Sequence, residues 1–483
     1  MAQVVLALWG AGLGLHAVLA VWANGHVLLT RREPTAAILW LIVITLVPVA
    51  GPVLYGLGGL MRVRRRHHLK GSRRAVLKER YASLALAEER RRRHLGQAPA
   101  NVQLLSDAVG RISGRPLLTG NRLDLLVNGE QAYPRMLEAI ESATATVHLF
   151  SYIYDEDEVG RQFTAALAAA ARRGVEVRLL VDAVGAHDTD DDLFQDARTA
   201  GAKVARFRPL RLTRWRRGLH FRNHRKILVV DGLLGFTGGM NISERYLADR
   251  HANPARCRDF QVRVEGPVVG QLQEVFMEDW FDATGEELLA DRYYPPASAA
   301  GDALCRVVTS SPVGESERIQ AIFFQALCCA RERLEIMTPY FIPDSGTLAG
   351  LRGAVQRGVH VDVLLPGMGD SPFVQRAALG TLPEVMSWGV NVFLRQPPFI
   401  HAKALVLDRA WAMVGSANWD ARSFRFNDEC NLEVIDPAFA AALESAMAAE
   451  RGASRRYSVD EWHARPLGAR LSERMAALFG PTL

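Results

Sequence analysis

Two segments of the chain carry the same reactive residue types at the same spacing. Each segment reads histidine, lysine two residues later and aspartate five residues after that, then a Gly-Gly or Gly-Ser pair and an asparagine. The first segment supplies His224, Lys226, Asp231 and Asn241, and the second supplies His401, Lys403, Asp408, Ser416 and Asn418. An imidazole, an ammonium and an amide that converge on one point suit a phosphate group, and we expect Asn241, Ser416 and Asn418 to bind it.

Having two copies of the motif solves a chemical problem, because one imidazole cannot easily be nucleophile and acid in the same step. With two, one histidine attacks phosphorus and forms a phosphohistidine. The other protonates the leaving alkoxide and then deprotonates the incoming nucleophile. The chain has only five lysines, and two of them, Lys226 and Lys403, stand at the same place in both motifs, where they would stabilise phosphoryl charge. This chemistry requires no metal or other cofactor.

The elements that must position these residues are also repeated. In the first copy an apolar strand at 146–154, a helix at 160–174 and a strand at 175–182 follow one another, and the second copy has the same order at 333–341, 347–358 and 359–366. This order predicts βαβ units and an α/β fold, with two tandem domains at 116–300 and 301–483. We expect the domains to share one active site at their interface. Because alternate strand residues share a face, each histidine and lysine should project from one side of a strand. The later glycines should form a turn whose N–H groups approach an anion.

The N-terminal part of the chain is apolar enough to enter a membrane. Residues 2–23 and 35–60 are two apolar runs, each long enough to cross ~30 Å of hydrocarbon. Pro48 and Pro52 interrupt the second run, which therefore either spans with a kink or re-enters. A dense basic flank follows, and the positive-inside rule places it in the cytoplasm. We therefore predict a transmembrane hairpin at 1–60, a basic juxtamembrane linker at 61–115 and catalytic domains on the cytoplasmic side.

The overall composition narrows the possible partners. The formal charge of +6 favours anionic partners, either acidic lipid or nucleic acid, without choosing between them. The apolar N-terminal runs argue against nucleic acid, because they hold the site at a bilayer. The five cysteines are odd in number and show no CxxC spacing, so neither a disulfide framework nor a structural zinc site is expected.

The doubled HxKxxxxD pattern resembles the phospholipase D superfamily. Segments such as RRGVEVRLLVDAVG, RNHRKILVVDG, TGGMNIS and TPYFIPD resemble bacterial cardiolipin synthases in particular, over nearly the whole chain. The resemblance implies a multi-pass enzyme of the inner (cytoplasmic) membrane that converts two phosphatidylglycerols to cardiolipin and glycerol through a phosphohistidine. It implies phosphatidylglycerol and other anionic phospholipids as partners, and no nucleic acid.

The resemblance also suggests individual roles. It favours His224 as nucleophile and His401 as acid and base, although the internal symmetry leaves this order open. A downstream carboxylate usually holds each histidine, which by position is Asp259 for His224 and Glu429 for His401. The motif aspartates are either catalytic or structural turn residues.

Other activities are compatible with the same motifs. Phospholipid hydrolysis, transfer to a different alcohol and nucleic acid cleavage are the enzymatic alternatives. A catalytically inactive, lipid-binding scaffold is the alternative from another class, and both motifs being complete disfavours it.

Overall fold

The protein is described from a computed structural model, which covers residues 2–30, 34–56, 85–209, 221–247, 256–296, 298–312 and 314–480. The chain divides into two compact units, residues 1–65 and residues 66–483. Most of the basic flank that follows the second apolar run, and the basic and aromatic stretch at 210–220, lie outside the described residues.

The N-terminal unit contains one helix of membrane-spanning length. Its helices are α1 (Ala2–Thr30), α2 (Pro34–Leu46) and α3 (Ala50–Leu54). Within α1, Gly10–Thr30 has 21 residues with a mean hydropathy of 1.4, enough to cross a bilayer. The 13 residues of α2 extend only about 20 Å at 1.5 Å per residue. Among the described residues α1 is thus the one helix able to span by length and composition, and the predicted second span is interrupted.

The interruption of the second apolar run follows from Pro48 and is completed by a histidine of α1. A continuous helix would join the Val49 N–H to the Thr45 carbonyl, but Pro48 disfavours helical geometry there. Val49 instead adopts a φ of 59° and donates its N–H to His16 Nδ1 at 3.1 Å. The other ring nitrogen, Nε2, lies 3.3 Å from the Thr45 carbonyl oxygen and donates to it. The imidazole of His16 therefore bridges the broken backbone hydrogen bond, which would otherwise leave two polar groups unsatisfied in an apolar setting.

The larger unit is built on one mixed sheet of 15 strands, with a separate sheet of two short strands. The strands are β1 (Leu118–Val127), β2 (Thr146–Ser151), β3 (Glu176–Asp182), β4 (Lys203–Phe207), β5 (Ile227–Val230), β6 (Leu234–Gly238), β7 (Cys257–Arg258), β8 (Phe260–Glu265), β9 (Ala303–Ser310), β10 (Arg333–Met337), β11 (His360–Pro366), β12 (Asn391–Arg395), β13 (Phe399–Ile400), β14 (Ala404–Leu407), β15 (Trp411–Gly415), β16 (Glu429–Ile435) and β17 (Ser454–Tyr457).

The strand order shows the internal duplication directly. Outward from the centre of the sheet, the first repeat runs β1, β8, β6, β5, β2, β3, β4, and the second runs β9, β16, β15, β14, β10, β11, β12 with β17 added at the edge. Corresponding strands occupy corresponding places, and the antiparallel pair β1–β9 joins the two halves, with Leu118 opposite Cys305. The predicted tandem α/β repeats are thus confirmed.

The remaining helices cover this sheet. They are α4 (Ala85–Gln97), α5 (Ala100–Ser113), α6 (Asn128–Ser142), α7 (Glu158–Arg172), α8 (Gln195–Thr199), α9 (Val269–Thr284), α10 (Arg318–Cys329), α11 (Ser345–Gln356), α12 (Pro372–Trp388), α13 (Pro437–Gly452), α14 (Val459–His463) and α15 (Leu467–Ala477). The predicted βαβ units are β2–α7–β3 and β10–α11–β11, each with parallel strands. Their aliphatic strands are buried almost throughout, as a sheet covered on both faces requires.

Part of the predicted linker at 61–115 belongs instead to the folded core. Helices α4 and α5 occupy its second half. Val102, Leu105 and Val109 lie on one face of α5, are fully buried and pack in the same core as Ile322 and Phe323 of α10. The spacing of three and four residues is that of an amphipathic helix. The described end of this segment is therefore structural, and it supports the second repeat.

Candidate active site

Each motif histidine is positioned by the backbone of the opposite repeat. His224 precedes β5 and donates its backbone N–H to the Asp428 carbonyl at 2.8 Å. His401 follows β13, which pairs with β7. It donates its backbone N–H to the Arg258 carbonyl at 2.8 Å. The expectation that histidine and lysine project from the strand itself was therefore wrong by a few residues. The strands β5 and β14 begin just after the lysines, because the histidines pair with the other repeat rather than with a sheet neighbour.

The His224 ring is fixed in one protonation form by two acceptors. Its Nδ1 lies 3.1 Å from Glu429 Oε2 and 3.0 Å from the Ser416 carbonyl oxygen. A carboxylate and a carbonyl both accept, so Nδ1 must carry the proton and Nε2 keeps its lone pair in the neutral ring. Glu429 is fully buried and held by the Ser416 hydroxyl at 2.5 Å and by Asn427 Nδ2 at 3.2 Å. This arrangement prepares Nε2 of His224 to act as a nucleophile.

The His401 ring has the corresponding contact in the other half of the site. Its Nδ1 lies 2.6 Å from Asp259 Oδ2, and Asp259 Oδ1 accepts the Phe260 N–H at 2.7 Å. Both predicted carboxylates therefore meet a motif histidine, but the expected pairing was wrong. Asp259 holds His401 and Glu429 holds His224, so each histidine is held by a carboxylate from the other repeat.

The two lysines are buried beside the histidines. Lys226 is 2% exposed and donates from Nζ to the His224 carbonyl at 2.6 Å. Lys403 is 4% exposed, and its Nζ lies 2.9 and 3.0 Å from the two ring nitrogens of His401. Burial and the charge of Lys403 hold the pKa of Lys226 well below its usual range, and burial lowers the pKa of Lys403 to about 8. Two ammonium groups that repel each other in a buried site favour an anion between them.

The two histidine–carboxylate pairs differ electrostatically. Burial lowers the pKa of both histidines, with further lowering by Lys226 at His224 and by Lys403 at His401. Burial raises the pKa of Asp259 to about 6. Burial acts most strongly to raise the pKa of Glu429, but the interactions with His224, the charge of Lys226 and the hydrogen bond from Ser416 together outweigh it, so this pKa lies below its ordinary value. Glu429 is thus held as an anion more firmly than Asp259.

The difference between the carboxylates has a structural source in the Gly-Gly and Gly-Ser pairs. In the second motif the Ser416 hydroxyl donates to Glu429. In the first, a Cβ on Gly239 would lie 2.2 Å from Asp259 Oδ1, so a serine there would displace the Asp259 carboxylate. The expected approach of glycine N–H groups to an anion is not seen here, because the Gly239 N–H donates to the Phe260 carbonyl at 3.1 Å, and it is the absent side chain of Gly239 that makes room for Asp259. Ser416, predicted to bind phosphate, contacts the carboxylate and the histidine instead.

The two motif asparagines have different surroundings. Asn241 is fully buried, accepts the Ile153 N–H at 3.0 Å and donates to the Tyr246 hydroxyl at 2.7 Å. Asn418 is 5% exposed, and its Oδ1 has no hydrogen-bond partner among the described residues. Asn241 therefore positions Tyr246, while Asn418, two residues after Ser416, holds a buried amide oxygen without such a partner.

The motif aspartates Asp231 and Asp408 are remote from this chemistry. They follow β5 and β14, at the ends away from the histidines, with φ angles of 52° and 48°. Asp231 accepts from the backbone N–H groups of Thr144, Ala145 and Thr146 at 2.7–2.9 Å. Asp408 accepts in the same way from the N–H groups of Arg331, Glu332 and Arg333. Of the two roles left open for them, this geometry favours the structural one, because each aspartate fixes the turn that leads into the first strand of a βαβ unit.

We predict that Asp231→Ala lowers stability more than turnover. The variant loses three backbone hydrogen bonds and one from the Thr144 hydroxyl. The free energy of unfolding of the larger unit should fall by roughly 2–3 kcal/mol. Turnover per folded molecule should stay within a few-fold, as measured beside Asp188→Ala, whose carboxylate is 88% exposed. A hundred-fold loss of turnover in fully folded protein would contradict the structural role.

Three further residues join the site. The ring of Tyr152 lies edge-on to His224 at 5.0 Å, and the ring of Tyr246 lies edge-on to His401 at 5.5 Å. Arg225 is fully buried, pairs with Asp279 at 2.7 Å and donates from Nε to the Glu429 carbonyl at 3.1 Å. The signal for Tyr152 was its position near the end of the predicted strand at 146–154. The signal for Arg225 was its place between the motif histidine and lysine.

Comparison with known proteins identifies the family. The protein-family model described as "Cardiolipin synthase, PLD-like domain" matches residues 136–280 and 323–450. A second, "Phospholipase_D-nuclease N-terminal", matches residues 18–59. The major cardiolipin synthase ClsA of Bacillus subtilis is 33% identical, with 94% of this chain and 95% of that protein covered. Cardiolipin synthase A of Pseudomonas aeruginosa strain PAO1 is 35% identical, with 96% and 94% covered. This chain belongs to the cardiolipin synthase family.

The fold of this cardiolipin synthase family member also occurs in a solved structure. The crystal structure of phosphatidylserine synthase from Haemophilus influenzae aligns with a TM-score of 0.61 at 14% identity, covering 79% of this chain and all of that one. At this identity the likeness concerns the fold alone. Family membership, together with the apolar helix α1, describes a membrane-associated phosphatidyltransferase of the phospholipase D type.

Proposed function

We propose that this protein is a cardiolipin synthase in which the two repeats share one active site. It joins the phosphatidyl group of one phosphatidylglycerol to the headgroup of a second and releases glycerol. The observation that carries the proposal is the crosswise contact of the histidines with the carboxylates. Each histidine is held by a carboxylate of the other repeat, which supports a site that requires both repeats.

In the first step we assign His224 as nucleophile. Its Nε2 lone pair attacks the phosphorus of phosphatidylglycerol, because Glu429 and Ser416 keep the proton on Nδ1. The P–O bond to the glycerol headgroup breaks as the N–P bond forms. His401 gives its proton to the departing alkoxide, and glycerol leaves. The phosphatidyl group remains on His224 as a phosphohistidine.

In the second step the same groups act in reverse. His401 takes the proton from the terminal hydroxyl of a second phosphatidylglycerol, whose oxygen attacks the phosphohistidine. The N–P bond breaks, and cardiolipin forms. Asp259 stabilises the imidazolium of His401 in both steps. Lys226 and Lys403 stabilise the charge on the phosphoryl oxygens, and we assign the same role to Asn418.

A lipid product assay tests this function. Purified protein in detergent is incubated with phosphatidylglycerol and a chelator, and the products are measured by mass spectrometry. We expect cardiolipin and glycerol in equal amounts, because each transfer releases one glycerol. The chelator should not reduce the yield, because two imidazoles and two ammonium groups supply the chemistry. Phosphatidic acid without cardiolipin would instead indicate hydrolysis, and no product from any phospholipid would reject the assignment.

For the membrane end we propose that the catalytic unit lies on the cytoplasmic side of the inner membrane. The basic residues that follow the apolar runs support this orientation. The break in the second run, bridged by His16, favours a re-entrant segment over the predicted second span. A re-entrant segment would put Arg31 and Arg32 on the same side as the later basic residues, as the positive-inside rule prefers.

The position of the N-terminus distinguishes the two topologies. A cysteine added at the N-terminus should react with an impermeant thiol reagent applied outside intact cells if the second run re-enters. It should react only after permeabilisation if both runs span. A cysteine placed in the catalytic unit is the control, and its reaction in intact cells would contradict the cytoplasmic orientation.

A further inference from the structure

The C-terminal helix α15 has its apolar residues on the outside. Leu467, Leu471 and Met475 are 67%, 55% and 63% exposed, and their spacing of four residues aligns them on one face. Leu478 and Phe479, just beyond the helix, are 79% and 55% exposed. Large aliphatic side chains on the solvent face of a helix mark a surface that meets something apolar.

The inner face of α15 carries charge instead. Glu473 is 2% exposed, accepts from the Trp462 indole N–H at 2.9 Å and pairs with Arg465 at 2.6 Å. Ala476, also buried, is the small residue that packs inward. A helix on the surface of a water-soluble protein has the opposite distribution, with its apolar stripe towards the core. Burial of the core therefore does not explain the sequence of this helix.

The apolar surface continues from α15 towards the catalytic site. The ring of Phe479 lies 5.9 Å from that of Phe373, at the start of α12. Phe373 is 44% exposed and Met368 60% exposed, on either side of Asp370. The Asp370 carboxylate accepts the Tyr340 hydroxyl at 2.7 and 2.8 Å. The backbone carbonyl of Tyr340 accepts the N–H of Trp419, the residue after Asn418, at 3.3 Å, so the apolar surface reaches the second motif at the rim of the site.

Positive charge borders the same surface. The guanidinium groups of Arg470 and Arg474 lie 4.7 and 5.3 Å from the centre of the Trp462 ring. On the helix both arginines lie to one side of the row formed by Leu467, Leu471 and Met475. An apolar stripe with basic residues at its edge is the pattern of a helix that lies in the interface of an anionic bilayer.

We propose that the C-terminal apolar patch, formed by Met368, Phe373, Leu471, Met475, Leu478 and Phe479, docks on the surface of an anionic phospholipid bilayer. Docking would place the rim of the site at the headgroups, so that a phospholipid could reach the histidines without its chains crossing water. The inference rests on the proposed function in one respect, namely that the substrate is a membrane lipid. A second copy of this chain is the competing occupant, and the test separates the two.

Bilayer contact can be measured without turnover. The full chain, with the exposed Cys328 replaced by serine, receives a fluorophore at Leu471→Cys or at Leu233→Cys and is reconstituted in phosphatidylglycerol vesicles containing nitroxide-labelled lipids. Leu233 is 47% exposed and follows β5 at the end away from His224, which makes it the matched control. We expect several-fold stronger quenching at position 471. Equal quenching at the two positions would overturn the proposal.

A charge substitution tests the consequence for activity. Leu471→Glu with Met475→Glu should lower turnover on phosphatidylglycerol vesicles about ten-fold and leave turnover in detergent micelles unchanged, whereas Leu233→Glu should change neither. A change of oligomeric state in the double variant, without quenching at position 471, would show a protein interface and overturn the proposal. If quenching occurs but no cardiolipin forms, the proposed function fails and the docking surface stands.

Discussion

Replacing His224 with alanine is expected to abolish phosphatidyl transfer, with a loss of roughly 10⁵-fold or more, because it removes the imidazole that we assign to the covalent intermediate. Glu429 and Ser416 hold the Nδ1 proton of this ring, so its Nε2 is the prepared nucleophile. Replacing His401 with alanine should also suppress cardiolipin formation, but by removing the proton transfer, which contributes typically 10²–10⁴-fold. The measurement is cardiolipin formed per folded enzyme.

The two histidine variants should differ in one further respect. A phosphatidyl ester with an acidic leaving group needs little protonation, so His401→Ala should still accumulate the phosphohistidine from it, while His224→Ala should not. Acid-labile, base-stable attachment of a labelled lipid to the protein reports the intermediate. If the label accumulates on His224→Ala instead, the roles of the two histidines are the reverse of those assigned.

Glu429→Gln is expected to impair His224, and Asp259→Asn is expected to impair His401, each by about 10²–10⁴-fold. Asn or Gln can accept from a neutral imidazole but cannot stabilise an imidazolium or keep the required tautomer as a carboxylate does. The assignment is crosswise: Glu429→Gln should block formation of the phosphohistidine even with an acidic leaving group, and Asp259→Asn should permit it. Thermal unfolding of both variants checks that the loss is chemical.

The opposite result would have a clear meaning. If Asp259→Asn blocked the intermediate and Glu429→Gln permitted it, while the intermediate still required His224, each histidine would depend on a carboxylate of its own repeat, as sequence position suggested. Lys203→Ala, which removes an exposed ion pair with Glu286, is a suitable control, because this pair lies outside the described site.

The sequence was informative where chemistry depends on local spacing. The HxKxxxxD segments identify His224 and His401, and the alternation of apolar strands and helices identifies the α/β repeats. The amphipathic spacing of Val102, Leu105 and Val109 was also readable, but the dense arginines upstream favoured the interpretation of the whole segment as a linker. Sequence analysis can therefore identify residues whose role depends on near neighbours in the chain or on one face of a helix.

The carboxylate pairing was not within reach, because it depends on how the two repeats face each other. Asp259 follows His224 in the chain and Glu429 follows His401, so proximity in sequence suggests the wrong partners. Only the backbone contacts of His224 with Asp428 and of His401 with Arg258 bring the crosswise carboxylates into place. The motif aspartates misled for a related reason: a fixed spacing can reflect the requirements of a turn as well as those of a reaction.

The carboxylates Asp259 and Glu429 have different neighbours, Gly239 and Ser416, and this difference bears on how such a site could have arisen. In a dimer of one ancestral repeat, each histidine would meet the carboxylate of its partner, and the two half-sites would be identical by symmetry. A single gene could not then place glycine beside one carboxylate and serine beside the other. Fusion of the repeats removes that constraint, and here Gly239 leaves only space for Asp259 whereas Ser416 donates to Glu429. Covalent linkage thus allows two equivalent histidines to become specialised, one for attack and one for proton transfer.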